Sequence, residues 1–253
     1  MAECREGPGE APAEGQEETD MDVMLNFLTD YRELAVEYEA ADGSPVRTTV
    51  LGWTQGACQT VWSEAMPRTI AANLARVAGR RVLELGAGCG LLGLVAGHSA
   101  AEVVMTDGDV EEAALLRVNA AQNAPPGGAK MRGAHLDWGL GPAEAAAKAL
   151  GGKGSFDVVL GAQICHQPKY LKQLVETISF FLSREGEAFI FNDRVSLMST
   201  REACRSLFDA ALKEHGLRAE EGLEPEGPLI GPALVREDMA LREGAYLIRI
   251  TWA

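Results

Sequence analysis

The sequence predicts an α/β fold: a mostly parallel sheet, helices on both faces, and an antiparallel C-terminal strand. Three observations carry this. Residues 82–94, VLELGAGCGLLGL, set a short apolar strand, a tight glycine turn and an apolar helical stretch in a row. Further β-rich runs then alternate with helical stretches, which means a parallel sheet. The last run, residues 246–251, follows a Gly/Pro/Glu-rich loop instead of a crossover helix, which fits an antiparallel closing strand.

Each segment follows from its residues. The first 20, MAECREGPGEAPAEGQEETD, are rich in Glu, Gly, Pro and Ala and predict a disordered acidic tail. Residues 21–253 read as a single domain, with an N-terminal helix or hairpin extension over 21–60 and the core over 61–253. Between Met21 and Glu39 the apolar positions Met24, Leu25, Phe27, Leu28, Tyr31, Leu34 and Tyr38 predict a docking helix, or a helix leading to a strand. Residues 46–51 are β-rich and predict a strand or hairpin, closed by a turn at 52–56. Residues 60–66 lead into a helix over 67–78, with Ile70, Leu74 and Val77 on one side.

The body begins at Arg81. Strands are expected at 81–85, 102–106, 130–136, 156–160 and 188–191. Helices are expected at about 90–99, 110–122, within the Ala-rich 139–154, at 168–182 and at 199–215. A loop spans about 222–232 before the closing strand.

Composition narrows the function. The chain has 253 residues, 47% of them hydrophobic, enough for one ample core. No apolar run approaches the ~18 residues of a membrane span, and the N-terminus has no signal pattern, so no membrane association is expected. Cys4, Cys58, Cys89, Cys165 and Cys204 are scattered, with neither zinc spacing nor a disulfide frame. A reducing compartment, the cytoplasm and also the nucleus, is the expectation. The net charge of −14 and the lack of a Lys/Arg cluster argue against nonspecific nucleic-acid binding; such a surface either attracts a basic partner or only keeps the protein soluble. No metal site is expected, and without a heptad stripe the expected state is a monomer.

The glycine turn points to chemistry. Glycines let the chain reverse sharply and let a ligand lie against bare backbone. Behind them, a helix N-terminus offers unpaired N–H groups. The dinucleotide spacing G-x-G-x-x-G fails, because position 91 is leucine. The pattern is Glu84-x-Gly86-x-Gly88-x-Gly90, and the next strand ends in Asp107, with Asp109 close behind. An acid one βαβ step downstream can accept hydrogen bonds from both ribose hydroxyls. A glycine-rich turn in some other nucleotide-binding α/β protein is the open alternative.

This combination resembles motif I and its partner acid in the seven-strand, Rossmann-like, S-adenosylmethionine (SAM)-dependent class I methyltransferases. Four more segments narrow the likeness: residues 60–65 (TVWSEA), residues 116–119 (LRVN) with Asn123, residues 136–138 (LDW), and residues 156–162 (FDVVLGA). In this order and spacing they resemble family 16, the methyltransferase-like protein-lysine group, over roughly residues 45–215. The likeness implies roles. Trp62 would cover the methionine end of SAM. Gly86, Ala87 and Gly88 would pass beneath it, and Glu84, just before the turn, would be a further cofactor contact. Asp107 would hold the ribose, Trp138 would wall the adenine, and Ala162 would touch the cofactor. Asp137 would meet the adenine amino group or cap a turn. For the two tryptophans the alternative is core packing, and for Asp107 a helix cap.

One departure matters. The family carries D-x-x-Y after strand four, where this chain has Gln163 and His166. These two are the catalytic candidates. Gln163 keeps hydrogen bonding but loses the charge that would steady a lysine ammonium. His166 has the range of a base near neutral pH, or a structural role. Cys165 has no base–orienter set and reads as a buried thiol. The resemblance implies methyl transfer to a lysine of a protein. Transfer to a small molecule or another side chain, or SAM binding with little turnover, are the alternatives.

Overall fold

The computed structural model describes residues 31–53, 65–124, 128–165, 167–193, 202–221 and 245–253. An antiparallel hairpin of β1 (Tyr31–Glu39) and β2 (Pro45–Trp53) comes first. Then follow α1 (Ala65–Ala72), α2 (Leu74–Val77), β3 (Arg81–Leu85), α3 (Leu91–Ala96), β4 (Glu102–Asp107), α4 (Val110–Asn123) and β5 (Lys130–His135). The second half holds α5 (Leu140–Leu150), β6 (Phe156–Ala162), a 3-10 turn (Pro168–Tyr170), α6 (Leu171–Phe181), β7 (Leu182–Asp193), α7 (Glu202–Glu214), β8 (Leu217–Glu221) and β9 (Ala245–Trp252).

β3 to β9 form one seven-stranded sheet in the order β5-β4-β3-β6-β7-β9-β8. β3 pairs in parallel with β4 and β6, β4 with β5, and β6 with β7. β9 is antiparallel to both β7 and β8, as expected of the closing strand. The chain direction across the sheet reverses between β3 and β6. Ligands of open α/β sheets bind outside the strand ends at such a switch point.

The central strands are buried on both faces, hence their near-continuous apolar runs. Alternate residues serve two cores. Leu83, Leu85, Phe156, Val159 and Ile190 face α5, α6 and α7 through Ala143, Leu174, Ile178 and Phe208. Val82, Val103, Met105, Val158, Leu160 and Phe189 face Ile70, Leu94 and Val95 of α1 and α3, with Val46 and Val50 of the hairpin beside them.

Three elements refine the sequence reading. Residues 31–39 form a strand paired with β2, which excludes a docking helix over them and fits the alternatives of a helix leading to a strand and of a hairpin: Val36 and Tyr38 lean on the partner strand, although the pattern also fits period 3.6. A short strand at 217–221 was unforeseen, and β7 begins at Leu182, six residues earlier than expected. The acidic tail, the region 21–30, the run 60–64 and the loop at 222–232 lie outside the described residues, as does most of the turn at 52–56.

Gly133 of β5 marks a close helix–sheet approach. A Cβ there would sit 2.5 Å from the Arg117 nitrogen and the Leu116 carbonyl carbon of α4, atoms that cannot swing aside. Gly133→Ala is expected to destabilise the fold by about 1–3 kcal/mol in a denaturant titration. An unchanged midpoint would show that β5 and α4 part without cost.

Candidate functional site

The site forms at the carboxyl ends of β3, β4 and β6. From Leu85 the chain turns through Gly86 (φ 60°), Gly88 (φ 53°) and Gly90 (φ 82°), all left-handed. Side chains are strained there, which is why three glycines alternate along the turn. Two backbone bonds set its shape: the Ala87 N–H donates to the Thr106 carbonyl (2.9 Å), and the Gly90 N–H to the Ala87 carbonyl (2.8 Å). Gly86 lies under a close roof. A Cβ on it would meet Ile164 Cγ2 at 2.7 Å and Trp138 Cζ2 at 3.2 Å.

Asp107, at the end of β4, turns its carboxylate to this loop. Its Oδ2 accepts from the Gly88 N–H at 2.9 Å, and its Oδ1 from the Asp109 N–H at 3.1 Å. Each carboxylate oxygen keeps a further acceptor position. The helix-cap role falls to Asp109 instead, whose Oδ1 accepts from the Glu111 N–H at 2.8 Å at the start of α4.

Glu84 is placed differently from the sequence expectation of a cofactor contact. It is 2% exposed and reaches behind the turn, where Oε2 accepts from the Gly93 N–H of α3 at 2.8 Å. Burial pushes its carboxyl up to about 8, and the Asp107 charge pushes the same way. At neutral pH it is therefore an uncharged brace between strand and helix. The local reason is Gly93, where a Cβ would fall 2.6 Å from Oε2.

On the β5 side, Asp137 is largely solvent-facing, 3.8 Å from His135 Nε2. The same ring nitrogen is 3.0 Å from the Gly108 carbonyl oxygen, so Asp137 sits beside the Asp107 loop. Trp138 is partly buried and meets Tyr170 edge-on, with ring centroids 6.4 Å apart. The structure thus brings Gly86, Ala87, Gly88, Asp107, Asp137 and Trp138 to one rim. Ala162 closes β6 next to β3 and packs partly against the α1–α3 core.

Beyond Ala162 comes Gln163, at φ 57° the one non-glycine residue with positive φ among the described residues. Its N–H donates to the Phe191 carbonyl of β7 at 2.7 Å, which fixes the turn despite the strain. Cys165 is fully buried and its thiol is pushed up to about 12 by burial, so it holds no ready thiolate. Trp62 and His166 lie outside the described residues.

Sequence reasoning missed two participants. Ile164 presses on both Gly86 and Gly161, and only the structure shows it. Tyr170 is 43% exposed beside Trp138, with the Lys169 ammonium 4.5 Å from its ring centroid. The spacing of Tyr170 from β6 is not the family's, which hid it.

The geometry fits an adenosyl cofactor: a bare-backbone cradle, an acid with free acceptor positions, and an indole over the first glycine. Comparison with known proteins agrees. A lysine methyltransferase family model matches residues 53–206. The chain is 32% identical over 151 residues to the protein N-lysine methyltransferase METTL21A of Danio rerio, covering 58% of this chain and 62% of that one. It is 30% identical over 139 residues to the EEF1A lysine methyltransferase 3 of Mus musculus, covering 54% and 53%. Calmodulin-lysine N-methyltransferase of Arabidopsis thaliana is 28% identical, over 54% of this chain and 45% of its own. The chain thus spans less than two thirds of the length of each of these relatives. Among solved structures, the Thermus thermophilus 16S rRNA N2 G1207 methyltransferase RsmC in complex with AdoMet and guanosine superposes with a TM-score of 0.57 at 17% identity, over 88% of this chain and 51% of that one. A TehB-like SAM-dependent methyltransferase from Corynebacterium glutamicum gives 0.50 at 17% identity, over 75% and 88%. These two likenesses establish the fold, and the family match, spanning more than half of the sequence, establishes that the chain belongs to the lysine methyltransferase family.

Proposed function

We propose that the protein transfers a methyl group from SAM to a lysine side chain of a protein acceptor. The observation that carries this is the left-handed glycine turn at 86–90, braced by the Asp107 carboxylate at the switch point of the sheet. When bound, SAM supplies an activated methyl: its C–S bond breaks as the N–C bond forms, and sulfur keeps the electron pair.

The chain's own residues have three tasks. The 86–88 backbone and Asp107 would seat the adenosyl end, with Asp137 and Trp138 beside the adenine. Ala162 and the turn at Gln163 would define the acceptor side, with Trp62 and His166 assigned there from sequence. The acceptor amine must lose its proton, since free lysine titrates near ~10.4, and burial in a dry pocket lowers it. Positioning and exclusion of water would then supply the rate.

The acceptor is proposed to be basic around its lysine. The exposed Glu33, Glu37 and Glu39 of β1, on a chain of net charge −14, support that. The protein is further proposed to act as a monomer in the cytoplasm, and also in the nucleus. Incubation of purified protein with a cell lysate and labelled SAM should mark a protein band, and mass spectrometry should place the methyl on lysine. Label in a small metabolite, or on another side chain, would overturn the acceptor class.

Gln163 supports a second reading, SAM binding with little turnover, because an amide steadies an ammonium less than a carboxylate. Gln163→Asp is expected to raise lysine methylation about tenfold, a gain of about 1.4 kcal/mol in transition-state binding. A fall in rate would mean that the turn is tuned to a different acceptor.

A further inference from the structure

Asn119 of α4 is fully buried, and its carboxamide joins two parts of the molecule. Its Oδ1 accepts from the Leu51 N–H at 2.8 Å, and Nδ2 donates to the Leu51 carbonyl at 2.9 Å. The side chain pairs with β2 as a neighbouring strand would. The same Nδ2 donates to the Cys89 carbonyl at 2.8 Å, inside the glycine turn. A small apolar cluster of Leu51, Leu115 and Val118, with Cys89 against it, packs the same junction.

Asn123, one turn further along α4, makes an instructive contrast. Its Oδ1 accepts from Thr48 Oγ1 (2.7 Å) and the Thr49 N–H (3.0 Å). Its Nδ2 donates to the carbonyls of Thr49 (2.7 Å) and Asn119 (2.9 Å). All four bonds stay within the hairpin and α4. Both asparagines grip β2, and Asn119 reaches the turn as well.

We propose that Asn119 is a positioning residue that couples the N-terminal hairpin to the cofactor turn. A two-stranded hairpin is marginal by itself and takes its order from what it packs against. A buried carboxamide with its hydrogen bonds made has little slack, so a shift of the Cys89 carbonyl is felt at Leu51. Seating a ligand on the turn therefore stiffens the hairpin. By linkage, a protein acceptor that grips the hairpin tightens the cofactor by the same factor. This rests on the reading that residues 86–90 hold SAM.

Amide hydrogen exchange of the full chain, with and without S-adenosylhomocysteine, tests it alongside calorimetry. In the parent protein the ligand should slow exchange at Thr49 and Leu51 by about fivefold or more. Asn123→Ala should speed hairpin exchange yet bind the ligand within about twofold of the parent. Asn119→Ala should weaken binding by about tenfold and abolish the hairpin's response. Ligand binding by the parent with an unresponsive hairpin, or an Asn119→Ala affinity within twofold of the parent, overturns the coupling alone. Should Asn119→Ala not fold, the parent's response and the Asn123→Ala affinity decide. No binding by the parent overturns the cofactor reading, and the coupling with it.

Discussion

Replacing Asp107 with alanine should weaken SAM binding by about two to four orders of magnitude in a calorimetric titration. The carboxylate is placed to act twice. It already accepts from the Gly88 N–H and the Asp109 N–H, so it shapes the turn. Each oxygen keeps a further acceptor position, which two ribose hydroxyls would fill. Hydrogen bonds to a charged group contribute about 1.5–3 kcal/mol each, and losing two gives the range above. Asp107→Asn keeps one oxygen acceptor and should fall between parent and alanine. The circular dichroism spectrum should not change, because the sheet around β4 is held by apolar burial of Val103, Val104 and Met105. Affinity within about threefold of the parent would remove Asp107 from the cofactor site.

Glu84→Gln should stabilise the fold, and by more as pH rises. An ordinary glutamate in the unfolded chain ionises near 4.5, whereas burial holds the native carboxyl neutral up to about 8. Between these values the unfolded state has released its proton and the native state has kept it. Stability is therefore fully present below pH 4.5 and falls by up to about 1.4 kcal/mol per pH unit as pH rises through this window. The loss is complete above pH 8. Glutamine mimics the neutral acid: its carbonyl oxygen can accept from the Gly93 N–H, and it has no proton to lose. Denaturant titrations should find the variant within about 1 kcal/mol of the parent at pH 5 and a few kcal/mol more stable at pH 8.5. A constant difference across that range would mean that Glu84 is ionised in the native state.

Where the sequence was legible, one force dominated. β3, β4 and β6 are short, apolar and buried on both faces, so their runs stand out, and the glycines between β3 and α3 sit at φ above 50°, where side chains are strained. Elsewhere two forces competed. In β1 the apolar Leu34 and Tyr38 are four apart and mimic a helix face, and only the register with β2 resolves the ambiguity. β8 reads LRAEE, with no strand signal of its own. It is a strand because β9 pairs with it at the sheet edge, Leu217 opposite Trp252.

The same division holds in the site. The glycine turn and the placing of Asp107 beside it were legible, because glycines after a short apolar strand mark a sharp reversal and the next strand ends in an acid. Glu84 misled, since its spacing before the turn does not tell which way the side chain points. The alternation of β3 sends it opposite Leu83 and Leu85, toward α3, where Gly93 leaves room. Asn119 carried a signal that went unread: an amide amid Leu115, Leu116, Val118 and Ala120, where a polar residue must have partners.

A crystal structure of the chain with S-adenosylhomocysteine tests the central claim most directly. The ligand should lie along the backbone of Gly86, Ala87 and Gly88, with both ribose hydroxyls within hydrogen-bonding distance of Asp107. A ligand seated away from the ends of β3 and β4, or no measurable affinity for it at all, would contradict the account.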